Sequence, residues 1–347
     1  MLGGYQVFAV LGFLLAAYAI VANDAIQTLG TFLSSNQQRP WWVLWIYACT
    51  LIAAVMLYGW FGLHGDIAFG RLNNIPYPDG GVRWWHVVPP AALLLLTRLG
   101  IPVSTTFLVL TIFTLTGGAA TDGVLAQMLA KSSLGYVLAL VTGGVVYALV
   151  ARGWVMWVHR TRDEAPAPYW IALQWLSTAF LWTQWLMQDL ANIFVFLPRH
   201  TVHEGAHVAV SFDPLILVLA TVIMMGLHAW IFARRGGRIQ KIVLRKTNTT
   251  DIRAATLVDF VYGIILFLFI EVNDIPMSTT WVFLGLLAGR EIAISYMTGL
   301  RSRREALLDV SADVGRAWVG LAVSTFLAIC IPWAATGRLP EHLVMDV

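Results

Sequence analysis

Apolar stretches long enough to cross a bilayer recur along the whole of this 347-residue chain. A transmembrane helix needs about 20 mostly apolar residues. Such segments lie near residues 5–35, 41–63, 86–100, 102–120, 132–151, 168–198, 212–233, 254–273, 276–298 and 315–335. The expected fold is therefore an all-α polytopic membrane protein with five embedded segments on each side of a polar connector at residues 152–167. Residues 86–100 and 102–120 are short for full spans, which leaves a re-entrant hairpin open. Hydrophobic residues make up 59% of the chain and charged residues 12%, against about 25% charged in soluble domains. That balance leaves little room for a separate soluble domain. The 16 Trp and 10 Tyr suit membrane interfaces.

The charges set the topology. Arg152, Arg160 and Arg162 lie in the connector at 152–167. Arg234, Arg235, Arg238, Lys241, Arg245, Lys246 and Arg253 crowd 234–253, and RSRR occupies 301–304. Short loops rich in Lys and Arg stay in the cytoplasm, so the three clusters are expected on one side of a cell (inner) membrane. An odd number of crossings in each half then makes the halves inverted and puts both termini outside. The loop at 64–85, rich in Gly, Pro and Asn, balances Arg71 and Arg83 with Asp66 and Asp79, as an outside loop would. The net charge of +3 gives no reason to expect nucleic acid. Cys49 and Cys330 sit in distant apolar segments and read as free thiols.

Two unusual motifs each occur twice, in the same order. Asn23-Asp24-Ala25-Ile26-Gln27 is matched by Gln188-Asp189-Leu190-Ala191-Asn192: amide, Asp, two apolar residues, amide. Ile101-Pro102-Val103-Ser104-Thr105-Thr106 is matched by Ile275-Pro276-Met277-Ser278-Thr279-Thr280, which differs only at Val103/Met277. The repeats divide the chain into 1–151, a linker at 152–167 and 168–347. On a helix the two amides of the first motif share a face. A carboxylate in an apolar segment is costly and faces a bundle interior or cavity. Amide and hydroxyl oxygens beside it suit a hard cation. In the second motif Pro breaks a helix. The Ser and Thr after it suit the start of a new one, where free N–H groups and the helix dipole favour anions. Broken helices facing each other across inverted repeats are how many transporters build a central site.

These motifs resemble the signatures of the inorganic phosphate transporter (Pit) family, in which a GANDVANA-type segment and a PVSTTH-like segment occur in each half. Here Val21-Ala22-Asn23-Asp24 keeps A-N-D but lacks the leading Gly. Met187-Gln188-Asp189 replaces A-N-D, and Leu190-Ala191-Asn192 keeps the following x-A-N. The family's His after PVSTT is Phe107 in one copy and Trp281 in the other. The resemblance implies uptake of a small inorganic oxyanion, most simply phosphate, with Na⁺ or H⁺ as coupling ion. It implies that Asn23, Asp24, Asp189 and Asn192 bind the cation. Ser104, Thr105, Thr106, Ser278, Thr279 and Thr280 would line the oxyanion site, with Gln27 and Gln188 at matching positions of changed chemistry. A homodimer is compatible with it.

Other charges carry their own expectations. Arg98 and Arg290 flank the second motif's two copies, and arginine grips oxyanions well. Asn273 and Asp274 immediately precede one copy. Asp259, early in its segment, is expected near the cytoplasmic interface. His203-Glu204-Gly205-Ala206-His207 matches H-E-x-x-H, with His200 nearby. On a helix His203 and His207 would share one face and could hold Zn²⁺. That makes a membrane-embedded metalloprotease the main rival from another class. An uncoupled channel or accessory subunit is the third reading. No phosphate-binding G-x-x-x-x-G-K-[ST] loop occurs, which argues against direct ATP drive.

Overall fold

In the computed structural model, residues 4–99, 103–116, 123–204, 207–237, 240, 250–272 and 277–337 are described. The chain opens with α1 (Gly4–Ile20), a π-helical turn (Val21–Ala25) and α2 (Ile26–Ser35), which run on without a break. There follow α3 (Trp41–Gly62), α4 (Trp84–Leu99), α5 (Thr105–Thr116) and α6 (Val124–Val150). A second π-helical turn (Ala151–Val155) leads into the short α7 (Met156–Arg160). The rest comprises α8 (Tyr169–Phe194), a hairpin of β1 (His200–Glu204) and β2 (His207–Ser211), α9 (Pro214–Ala233), α10 (Ile252–Val272), α11 (Thr279–Thr298) and α12 (Arg303–Thr336).

This is a multi-pass, all-α membrane protein. Among the described residues, six helical runs are long and apolar enough to span a bilayer. The other embedded helices fall short for physical reasons. At about 1.5 Å per residue, the 16-residue α4 and the 12-residue α5 cover less than the ~30 Å hydrocarbon core. They are short helices, as the length of their apolar segments suggests. Helices α8 and α11 are long enough, but α8 carries buried Gln174, Gln184, Gln188, Asp189 and Asn192, and α11 carries Arg290 and Glu291. Their polarity is inward-facing. Lipid sees instead residues such as Leu149 and Val222, which stay exposed on α6 and α9.

Packing crosses between the two sets of five segments. The broadest helix–helix contact joins α6 to α11, and α12 packs on α5 in the same way. Thus the last helix of each set lies against the helix that opens after the PxSTT motif of the other. Glycines let α6 and α11 approach closely. A Cβ built on Gly285 would lie 2.3 Å from the Tyr136 carbonyl oxygen, and one on Gly289 would lie 2.1 Å from that of Leu140. Helix interfaces in lipid rely on such small residues because no hydrophobic force drives helices together there.

The H-E-x-x-H segment differs from expectation. It is not a helix: Glu204 pairs with His207 across the turn, and His200 with Ser211, in an antiparallel ladder. Strand geometry sends successive side chains to opposite faces, so the i, i+4 helical arrangement of a zinc protease is not formed.

Candidate functional site

The π-helical turn at Val21–Ala25 interrupts the first helix where Asn23 and Asp24 lie. A π-turn accommodates an extra residue and reorients side chains, and such turns recur at functional sites. Both side chains point into the bundle, where Asp24 is 2% exposed. Asn23 donates from Nδ2 to Asp24 Oδ1 at 2.9 Å and to the Val103 carbonyl at 3.3 Å. Gln27 donates to Asn23 Oδ1 at 3.0 Å, so the two amides do share a face. The second copy sits on the unbroken α8, where Asn192 Nδ2 lies 2.6 Å from Asp189 Oδ1.

The PxSTT segments come to these carboxylates. Pro102 and Pro276, with Ile101 and Ile275, lie outside the described residues. The serines that follow start new helices as expected: Ser104 Oγ accepts from the Phe107 N–H at 3.3 Å and Ser278 Oγ from the Trp281 N–H at 3.2 Å. The threonines then bond both within and between the two sets. Thr105 Oγ1 donates to Asp24 Oδ2, and Thr279 Oγ1 to Asp189 Oδ2. Across the sets, Thr280 Oγ1 donates to Asp24 Oδ1 at 3.1 Å, and Asn192 Nδ2 to Thr106 Oγ1 at 3.2 Å. Thr106 also donates to the Met277 carbonyl at 3.0 Å, and Thr280 reaches the matching Val103 carbonyl at 3.5 Å. Two copies of one motif therefore meet at a single centre.

Some polar atoms at this centre are unanswered. Gln188 is 1% exposed, and neither its Oε1 nor its Nε2 has a partner among the described residues. Asn192 Oδ1 is likewise buried and unpartnered. Burying such groups without hydrogen bonds costs about 1–3 kcal/mol each. Unpaired oxygens beside the Asp189 carboxylate form a donor set that suits a hard cation. Phe107 and Trp281, in the first turns of α5 and α11, face each other with ring centroids 5.6 Å apart. They bring aromatic bulk to the middle of the site.

Arg71 joins the site from outside the motifs. Asp66 folds the loop back on itself by accepting from the Ala68 and Gly70 N–H groups at 2.8 and 2.6 Å. That turn inserts Ile67, Ala68, Leu72 and Ile75 into the core and leaves Arg71 1% exposed. There its guanidinium acts electrostatically on Asp189. In the sequence Arg71 reads only as a loop charge. The available signal was an arginine among apolar residues in a loop punctuated by Asp and Gly.

The other arginines stand apart. Arg98 is exposed at the end of α4. Arg290 lies ten residues beyond Thr280 on α11, about 15 Å along the axis. It bonds Glu291 at 2.6 Å, and Glu291 is shared with Arg301 at 2.7 Å. Asn273 and Asp274 lie outside the described residues. Asp259, seven residues into α10, is fully buried in the bundle. Its carboxylate accepts from Thr31, from Thr178 at 2.7 Å and from Gln174 at 3.3 Å. It is a third buried carboxylate, held between α2, α8 and α10.

Fold and site together define an all-α polytopic membrane protein in which both copies of a polar motif pair meet at one buried centre. A solved structure described as the sodium-dependent phosphate transporter has the same fold, with a TM-score of 0.63 over 96% of this chain and 99% of that one, at 14% sequence identity. No protein-family model matches the chain, and no curated protein matches its sequence.

Proposed function

We propose that this protein is a secondary active transporter of a small inorganic oxyanion, phosphate first, driven by Na⁺ or H⁺. The carrying observation is the meeting of both motif copies at one buried centre, where Asp24 accepts from Thr105 of its own set and Thr280 of the other. In this reading residues 1–151 and 168–347 are inverted repeats, with the basic connectors cytoplasmic, both termini outside and the site near the midplane of a cell (inner) membrane.

Asp24 and Asp189 would take the coupling cation, with Asn23 and Asn192 completing its oxygen shell. The threonine hydroxyls now spent on the carboxylates would be freed when a cation neutralises them. With the N–H groups at the starts of α5 and α11, they would then receive the oxyanion. Arg71 supplies the positive charge that the resemblance assigned to no residue. Ser104 and Ser278 cap those helix starts, and Gln27 and Gln188 flank the acidic pair. Alternating access follows if the two sets rock about this shared centre, because Asp24 and Thr280 bond across it. The solved neighbour's name, sodium-dependent phosphate transporter, favours Na⁺ and phosphate.

The test is radiolabelled phosphate uptake into proteoliposomes with an inward Na⁺ or H⁺ gradient, for the wild type and Asp24→Asn. Gradient-driven uptake that Asp24→Asn abolishes supports the proposal. No uptake under either gradient rejects phosphate and turns the search to sulfate.

A further inference from the structure

At the bundle end that carries the basic connectors, two hollows share a wall. One is a polar cavity of about 640 Å³, lined by Arg162, Asp251, Arg290, Glu291 and Arg301 among others. The other is an apolar groove of about 420 Å³, lined by Trp170, Leu173, Leu176, Phe180 and Phe260 among others. Trp154 and Leu257 belong to both. The groove follows α8 from Trp170 to Phe180, about 15 Å, or half of the ~30 Å hydrocarbon core. A charged chamber set beside an apolar slot about 15 Å long matches an amphiphile, not a free ion.

The chamber has donors to offer. Arg290 is only 8% exposed, yet its Nε has no partner among the described residues, and neither has the buried Trp154 Nε1. The carboxylates are already engaged: Glu291 by Arg290 and Arg301, and Asp251 by Arg253 at 2.6 Å. Asp163 and Asp309, which answer Arg162 and Arg301, are mostly exposed. Such surface pairs are weak and exchange readily. Trp154, Trp157 and Trp170 cluster at the mouth, with ring centroids 5.2 and 5.1 Å from Trp154. Trp favours the headgroup level. Arg253, which donates to the Thr161 hydroxyl at 2.7 Å, adds a further basic residue at this end, and such residues draw anionic lipid.

We infer that the cavity and groove together hold one anionic phospholipid, with its phosphate against Arg290, Arg162 and Trp154 and an acyl chain along α8 beside Phe180 and Phe260. The lipid bridges α8, α10 and α11, joining the helix that carries Asp189 to the helix that carries Thr280.

Delipidated full-length protein is titrated in detergent with phosphatidylglycerol or with phosphatidylcholine of the same chains, and bound lipid is counted by native mass spectrometry. Inorganic phosphate at matched concentration serves as competitor. Phosphatidylglycerol is expected to remain as a single adduct that phosphatidylcholine does not form and phosphate does not displace. Arg290→Gln is expected to weaken it about fivefold or more, the ratio typical of one basic residue at an anionic surface. Arg162→Gln, at a solvent-exposed position, is expected to act in the same direction without threatening the fold. Equal retention of phosphatidylcholine, unchanged affinity in both variants, or full displacement by phosphate overturns the inference.

Discussion

Thr280 and Asp24 lie 256 positions apart, and the Thr280 hydroxyl donates to the Asp24 carboxylate at 3.1 Å. Asp24 also accepts from Thr105 and from Asn23, so its carboxylate ties the first helix to both PxSTT segments. A motif copy in one half is thus completed by a hydroxyl from the other. Thr280→Val keeps the shape and removes the donor. Hydrogen bonds to charged groups contribute about 1.5–3 kcal/mol, so the apparent affinity for the coupling cation should change on the order of tenfold. Uptake measured against cation concentration checks this, with Thr298→Val, a half-buried hydroxyl at the far end of the same helix that bonds only backbone groups, expected to leave cation affinity unchanged.

Arg71 should matter for the anion rather than the cation. Arg71→Gln removes a buried charge that acts electrostatically on Asp189, and the KM for phosphate should rise on the order of tenfold, given about 1.5–3 kcal/mol for a charged hydrogen bond. Arg71→Lys should recover only part of the loss, because an ammonium lacks the fork of the guanidinium. Equal KM values in wild type and Arg71→Gln would remove Arg71 from the site.

Gly289→Ala should destabilise the protein although alanine normally favours a helix by about 0.5–1 kcal/mol over glycine. The new Cβ would lie 2.1 Å from the Leu140 carbonyl, and overpacking of this kind costs about 1–3 kcal/mol. Gly226→Ala on α9, which meets nothing within 4 Å, should be neutral or stabilising. The two melting temperatures in detergent, measured side by side, should therefore move in opposite directions.

Asp259→Leu should lower stability without altering ion selectivity. It leaves Thr31, Thr178 and Gln174 donating into an apolar side chain, at about 1–3 kcal/mol for each unsatisfied buried group. Thermal unfolding and the Na⁺-to-H⁺ uptake ratio are the two readouts. A changed ratio with unchanged stability would make Asp259 a coupling residue instead of a structural one.

Much of the architecture was legible because membrane solvation writes itself into local composition. Apolar runs marked the embedded segments, and their short length at 86–100 and 102–120 marked α4 and α5. Ser104 and Ser278 after Pro102 and Pro276 marked where α5 and α11 begin, since capping is a matter of a few neighbouring residues. H-E-x-x-H carries no local signal that tells strand from helix, and only the pairing of β1 with β2 excludes the helical spacing. The position of Asp259 in its segment says nothing about the α2 and α8 side chains that enclose it.

The sequence by itself determined that this chain lies in a membrane as helices, that it carries two copies of one polar motif pair, and which residues those are. It could do so because hydrophobicity, helix breaking and capping act over a few neighbours along the chain. Only the tertiary structure decided that Thr280 answers Asp24 and Asn192 answers Thr106, that Arg71 is folded into the core, and that Arg290 pairs with Glu291 ten residues beyond Thr280. Those relations depend on how α5, α6, α11 and α12 interlock, and a contact between residues hundreds of positions apart has no local signature.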